Sequence, residues 1–210
     1  MHYNYIAIEG NIGAGKTTLA SRLSQDLSSQ LILEEFEDNP FLKKFYEDKE
    51  QFAFHAELSF LVERFKQLKR YLVNERLSKQ NIVSDYFVDK CFVFAKSTLK
   101  NEELELYLNL FNMIQNSLPK PDLIVFLQKD PETLLENISK RGRPYEKNIT
   151  LEYLNQINQS YLAYFKNVKE IPILLLDTRN IDFVNHDVDY QKMKDLILNK
   201  YTNGINRLKP

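Results

Sequence analysis

Cysteine is almost absent from this 210-residue chain: Cys91 stands alone. No disulfide can close within the chain, and the cytoplasm is the expected setting. Long apolar runs are missing too. The longest, LIVFL at 123 to 127, is far too short to cross a bilayer, and the opening MHYNYIAIEG lacks the basic and then apolar regions of a secretion signal. A soluble, unprocessed chain with no membrane partner is expected. Excess charge is also lacking, since 28 Lys and Arg face 29 Asp and Glu for a net charge of -1. That balance provides no basic field for nucleic acid or a membrane surface. No internal repeat, low-complexity stretch or Pro/Gly-rich linker divides the chain, and 43% hydrophobic residues are enough for one core. A single domain over 1–210 is expected.

Strand and helix patterns alternate. YIAIE (5 to 9), LILEE (31 to 35), NIVSD (81 to 85), DLIVFL (122 to 127) and PILLLD (172 to 177) are short, apolar and bounded by polar or Pro signals, the pattern of buried parallel strands. Helical patterns lie between them: Gly15 to about Ser28, about Gln51 to Lys79, about 101 to 117, one after KDPETLL, and one through LEYLNQINQSYLAYFKNV. The expected architecture is α/β, a five-stranded parallel sheet flanked by helices. In the 101 to 117 helix, Leu104, Leu108, Phe111 and Ile114 form a stripe suited to packing.

The first strand runs into GNIGAGKT, which satisfies G-x-x-x-x-G-K-[ST] with Gly10, Gly15, Lys16 and Thr17, and a helix follows. In that setting residues 10–18 make a phosphate cradle. The backbone of Gly10, Asn11, Ile12, Gly13, Ala14, Gly15 and Thr18 curls around phosphate oxygens, Lys16 neutralises the β/γ side, and Thr17 ligates Mg²⁺. A nucleoside triphosphate such as ATP, with Mg²⁺, is the expected ligand. A GTPase switch fits poorly: NKYT at 199 to 202 lacks the Asp of N-K-x-D, and SDYFVDK offers no D-x-x-G.

A small kinase with this cradle has either a hydroxyl or a phosphate acceptor. A hydroxyl benefits from a carboxylate that takes its proton, whereas a phosphate acceptor needs arginines. The second strand ends in Glu34 and Glu35 at the carboxyl edge of the sheet, one of which points into the cleft. Arginine is scarce, eight against twenty lysines, yet Arg141 and Arg143 share RGRP in KRGRPYEKN, a candidate lid at about 140–148. Guanidinium groups there can clamp a transferring phosphoryl; a solvated turn is the plainer alternative. His2, His55 and His186 are isolated, so no structural metal is implied.

AIEGNIGAGKTTLA, EDNPFLKKFYED, FAFHAEL with ERFKQL, VSDYFVDKCFVFAKSTL, SLPKPDLIVFL and RGRPYEKNITLEYL, in this order, resemble the deoxynucleoside kinase family, and within it the bacterial deoxyadenosine and deoxyguanosine kinases. The likeness runs from about residue 3 to 183. It implies a P-loop kinase fold, transfer of the ATP γ-phosphate to the 5′-hydroxyl of a purine deoxynucleoside, and a homodimer. It also implies roles for particular residues. Glu34 would bind the 5′-OH and take its proton, and Asp85 would lie near Mg²⁺ and the reacting oxygens. Tyr46 and Glu146 would share the sugar 3′-OH, although Tyr46 also reads as a helix-packing aromatic. Phe94 would stack on the base, or else be core. Asp182 and Phe183, in DTRNIDF, would cover the adenine of ATP.

Three positions depart from the family pattern. His55, after Phe54, stands where a base-reading glutamine is expected. Tyr86-Phe87 follow Asp85 where Arg-Ser is common, leaving Arg64 or Lys90 to supply the cation. Asn137 stands where relatives carry a further arginine, leaving Arg141 and Arg143 as the clamp with Lys140 in reserve. A nucleoside monophosphate kinase, a pyrimidine-preferring kinase and a non-catalytic nucleotide-binding regulator are the rival readings.

Overall fold

The computed structural model describes residues 2–35, 39–74 and 81–210. Its centre is a parallel sheet, and its strands in chain order are β1 (Tyr5–Gly10), β2 (Gln30–Ile32), β3 (Ile82–Ser84), β4 (Leu123–Gln128), β5 (Pro172–Asp177) and β6 (Gly204–Leu208). The spatial order is β2-β3-β1-β4-β5-β6. Six strands replace the expected five. GINRL of β6 was not recognisable because an edge strand buries little: its residues are mostly half-exposed, and its register, Ile173 to Ile205 and Leu175 to Arg207, is set by backbone pairing with β5.

The central strands are apolar because helices cover both faces. Every residue of β1 is buried, as are Leu123 to Leu127 of β4. In chain order the helices are α1 (Lys16–Asp26), α2 (Leu42–Glu47), α3 (Lys49–Lys69), α4 (Lys90–Thr98), α5 (Asn101–Gln115), α6 (Pro131–Arg141), α7 (Leu151–Asn167) and α8 (Asp187–Leu198). Local chemistry sets their ends. The Asp48 carboxylate accepts from the Gln51 N–H at 3.0 Å to start α3, and the Thr150 hydroxyl accepts from the Tyr153 N–H at 3.2 Å to start α7. Gly142, at φ 71°, ends α6 in the left-handed conformation.

The long helix expected over Gln51 to Lys79 is shorter. α3 ends at Lys69, a π turn follows over Arg70–Asn74, and 75 to 79 lie outside the described residues. On α5, Phe111 is buried and Leu104, Leu108 and Ile114 pack against the core, as their spacing implied. On α7, Tyr161 and Phe165 lie fully buried beneath Phe126 of β4, with ring centroids 5.0 and 5.2 Å from it. Full burial of each such ring contributes about 1.5–3 kcal/mol. No described helix is long and apolar enough to cross a membrane.

β1 is central and the chain turns out of it in opposite directions, toward β3 on one side and β4 on the other. Such a crossing leaves a crevice at the carboxyl ends of the strands, where the loop after β1, the ends of β2 and β3, and α6 converge.

Candidate active site

Two clefts open at that edge. An outer one, about 780 Å³, lies over the loop between β1 and α1, with Lys129, Asn137 and the segment Arg179–His186 around it. An inner one, about 110 Å³, is lined by Glu34, Tyr46, Glu57, Phe60, Arg64 and Lys90 among others. Gly13, Lys16, Thr17, Arg141 and Arg143 belong to both walls. A group crossing between the clefts therefore passes the cradle lysine and both lid arginines.

The glycines of the loop are there for backbone and space. Gly13 has φ 82°, and a Cβ on it would lie 2.7 Å from the Leu134 carbonyl oxygen of α6. At Gly15, φ is 90° and a Cβ would meet the Phe183 ring at 2.8 Å. The side chain of Asn137 closes the same joint, donating to the Gly13 carbonyl at 3.0 Å. Gly13→Ala should force the loop away from α6 and strain it by about 1–2 kcal/mol, weakening nucleoside triphosphate binding roughly tenfold in a calorimetric titration. An unchanged affinity would show that the loop tolerates the displacement.

Lys16 donates to the Asn11 carbonyl at 2.9 Å, so its ammonium lies across the mouth of the loop. Burial and the neighbouring Lys90 lower its pKa to about 8, a cost that phosphate oxygens relieve. The Thr17 hydroxyl donates to Asp85 Oδ2 at 2.6 Å, and Asp85 Oδ1 accepts the Glu34 N–H at 2.7 Å. A hydroxyl and a carboxylate side by side are hard oxygen donors, and the pair fits Mg²⁺ carried with a nucleotide.

Glu34 is the electrostatic centre of the inner cleft. Its Oε1 accepts from Arg64 Nε at 2.7 Å and faces Arg64 Nη2 at 2.6 Å, while Oε2 accepts from Lys90 Nζ. Burial works against ionisation, but Arg64 and Lys90 outweigh it and hold the carboxyl at about 2. Neither cation could be chosen from the sequence; the fold uses both, one on each oxygen. Glu35, the next residue, is exposed and faces Arg70 at 3.4 Å. One glutamate points into the cleft and the other away, as expected, but both lie beyond the strand, since β2 ends at Ile32 and not at residue 35.

The lid brings a second acid into the cleft. Glu146, on a short 3₁₀ turn (Pro144–Glu146), is buried, and both its oxygens accept from Arg141 Nη2 at 2.7 Å. Arg143 Nη1 lies 3.5 Å from Glu146 Oε1. Tyr46 lines the cleft with its ring stacked on Tyr145, and Phe94 faces the cleft with its other edge against Tyr161. Asp182 and Phe183 border the outer cleft: the Asp182 carboxylate accepts from Asn185, and the Phe183 carbonyl accepts from Arg22 at 2.8 Å.

Three expected positions fall elsewhere. His55 is exposed, with its ring 5.3 Å from that of Phe41, and neither it nor Phe54 lines either cleft. Tyr86 is fully buried below the site, its hydroxyl donating to Gln67. The physical reason for His55 is helical phase. Glu57, Phe60 and Arg64, at i, i+3 and i+7, share the face of α3 that lines the cleft, and a residue two before Glu57 points away from it. That spacing was legible, and it marks Glu57 as the position facing the cleft.

Glu9 is a further charged residue beneath the site. It is fully buried at the end of β1, accepting from the Tyr161 hydroxyl at 2.8 Å and the Phe87 N–H at 3.1 Å, and burial pushes its pKa up. A charged residue inside YIAIEG was the available signal. It ties the turn after β3, and hence Asp85, to the strand that carries the phosphate loop.

Comparison with known proteins agrees with this geometry. Residues 6–203 match the family model described as deoxynucleoside kinase. The chain is 39% identical over 202 residues to deoxyguanosine kinase of Bacillus subtilis (strain 168), covering 92% of this chain and 98% of that protein. It is 29% identical over 196 residues to deoxyadenosine/deoxycytidine kinase of the same organism, covering 91% and 90%. A solved structure of deoxyadenosine kinase from M. mycoides, with products dCMP and a flexible dCDP bound, superposes with a TM-score of 0.78 at 27% identity, covering 91% of this chain and 97% of that one.

Proposed function

Because the chain belongs to the deoxynucleoside kinase family and phosphorylates a deoxynucleoside, we propose that the outer cleft holds ATP and the inner one the 5′-hydroxyl acceptor. Purine deoxynucleosides are the favoured acceptors, in keeping with the likeness to a deoxyguanosine kinase and to a deoxyadenosine kinase. The product is the deoxynucleoside monophosphate.

The observation that carries this reading is the shared wall of the two clefts, with Lys16, Arg141 and Arg143 on it and Glu34 beside it. The adenine lies under the Asp182–Phe183 segment and the triphosphate in the loop 10–18. Thr17 and Asp85 would hold Mg²⁺, which would supply positive charge to offset the negative charge of the phosphates. Lys16 and the lid arginines stabilise the charge on the moving phosphoryl. The 5′-hydroxyl donates to Glu34, which Arg64 and Lys90 hold ionised and fixed in direction. In a loose phosphoryl transfer the proton leaves late, so an acceptor of low pKa serves by orienting the hydroxyl. Tyr46 and Glu146 hold the sugar, and Phe94 stacks on the base.

Charge at the acceptor end disfavours a monophosphate acceptor. Glu34, Glu57 and Glu146 all line the inner cleft, and Arg64 is committed to Glu34. A phosphate there would face these acids and Asp85 as well. We read residues 1–210 as one domain, and the active form as a homodimer: on α5, Leu106 and Met113 are 52% and 78% exposed one heptad apart, which leaves an apolar face for a second copy.

The test is a panel of the four deoxynucleosides and their monophosphates with Mg-ATP, following ADP release. Turnover of deoxyguanosine or deoxyadenosine is expected. Turnover confined to pyrimidine deoxynucleosides would overturn the purine assignment, and turnover confined to monophosphates would overturn the role of Glu34.

A further inference from the structure

Among the described residues, Glu57 is the one acid of the inner cleft that the mechanism does not use. It is 3% exposed, and its Oε2 is buried with no hydrogen-bond partner among the described residues. Its Oε1 lies 2.9 Å from the Thr98 hydroxyl, which is also 3.0 Å from the Phe94 carbonyl oxygen. A buried carboxyl oxygen without a partner is costly, and here it borders the cleft beside Phe94. The cost is relieved when a ligand supplies the missing partner.

What that partner is depends on the carboxyl's proton. An ionised carboxylate only accepts, and the base edge that offers two adjacent donors is that of guanine, with N1–H and the N2 amino group. A protonated carboxyl donates from one oxygen and accepts at the other. That fork matches an amino group beside an unprotonated ring nitrogen, as in adenine and cytosine. Thymine offers an N–H beside a carbonyl, which the acid form can pair with and the ionised form, which only accepts, cannot. We infer that Glu57 reads the Watson–Crick edge of the base, its ionised form favouring guanine and its acid form favouring adenine. This rests on the inner cleft being the deoxynucleoside site.

The surroundings keep both forms within reach near neutrality. Burial raises the Glu57 carboxyl, Arg64 and the Thr98 hydroxyl lower it, Lys90 lowers it further, and Glu34 raises it, leaving it at about 7. The other titratable groups around it are Cys91 and Tyr107 on α4 and α5, and Tyr46 and Tyr153 on α2 and α7. Burial raises all four, so they stay neutral while Glu57 titrates.

The experiment offers deoxyguanosine and deoxyadenosine together in one tube and reads the ratio of their monophosphate products between about pH 6 and 8.5. Ionisations common to both reactions cancel in that ratio. The ratio should rise toward guanine with pH, by up to about tenfold per unit through the transition. In Glu57→Gln, whose carboxamide is always a fork of donor and acceptor, it should be flat and shifted toward adenine. Thr98→Val removes a hydrogen bond that lowers the carboxyl's pKa, and should move the crossover to higher pH. A flat wild-type ratio would overturn the inference while leaving the kinase reading intact; so would a pH-dependent ratio retained in Glu57→Gln. If Glu57→Gln does not fold, an unmoved crossover in Thr98→Val overturns it. Absence of any deoxynucleoside turnover in the wild type would instead remove the reading on which the inference rests.

Discussion

Glu34→Gln should lower kcat by about 10³-fold, with KM for the nucleoside moved far less. The amide still touches the hydroxyl, so binding survives. It is uncharged, however, and can also turn its NH₂ to the hydroxyl, so it orients the O–H poorly and does not offset the positive charge that builds on that oxygen as it attacks. The same change leaves Arg64 and Lys90 facing a neutral side chain, both almost fully buried at 4% and 6% side-chain exposure. Unpairing a buried ion pair costs about 3–5 kcal/mol, which for a domain of this size lowers Tm by on the order of 10 °C. The two effects separate in Glu34→Gln combined with Lys90→Met, where removal of one stranded cation should restore part of Tm and none of kcat. Recovery of kcat along with Tm would mean that Glu34 acts through stability alone. Because Arg64 and Lys90 hold its pKa at about 2, Glu34 remains ionised through the whole range above about pH 4, so an acid limb in kcat near neutrality must come from another group.

How much of this was written in the chain depends on whether the constraint is local. Gly13 and Gly15 declare themselves because a left-handed turn packed against Leu134 and Phe183 admits nothing larger, and the strand before and helix after complete the reading. β1, β4 and β5 are legible because burial on both faces makes them almost continuously apolar, with Glu9 the exception in β1. GINRL is not, since an edge strand needs only backbone pairing and carries Asn206 and Arg207 at no cost. At the inner cleft, Glu34, Asp85 and the lid arginines sit in short motifs, which makes them visible in the sequence as candidates. Glu57 belongs to no such motif, and only its helical phase with Phe60 and Arg64 places it on the same wall. Whether Arg64 or Lys90 served Glu34 lay beyond any local signal. The answer depends on how α3 and α4 pack beside the end of β2, a tertiary fact.

Arg141→Ala and Arg143→Ala should each reduce kcat by about 10³-fold or more if their guanidinium groups reach the moving phosphoryl. Losses of tenfold or less in both would remove the lid from the chemistry. Arg141 needs a further test, because its fork is held by Glu146, and its loss could act only by releasing that acid from the sugar. The two routes separate in a double-mutant cycle. If Arg141 merely positions Glu146, then Arg141→Ala costs nothing further in a Glu146→Gln background, and the damage lies mainly in nucleoside KM. If it stabilises the transition state, the kcat loss persists at nearly full size in that background. The geometry favours the second outcome. Arg141 lies on the wall common to both clefts and keeps 35% of its side chain exposed there, whereas Glu146 keeps 6%. An ion pair with one member buried in the inner cleft and the other open on the wall shared with the outer cleft would couple filling of the inner cleft to placement of the cation. Arg141→Lys should recover little of the loss, since an ammonium lacks the planar fork that lets the guanidinium pair with Glu146 through one edge while offering another.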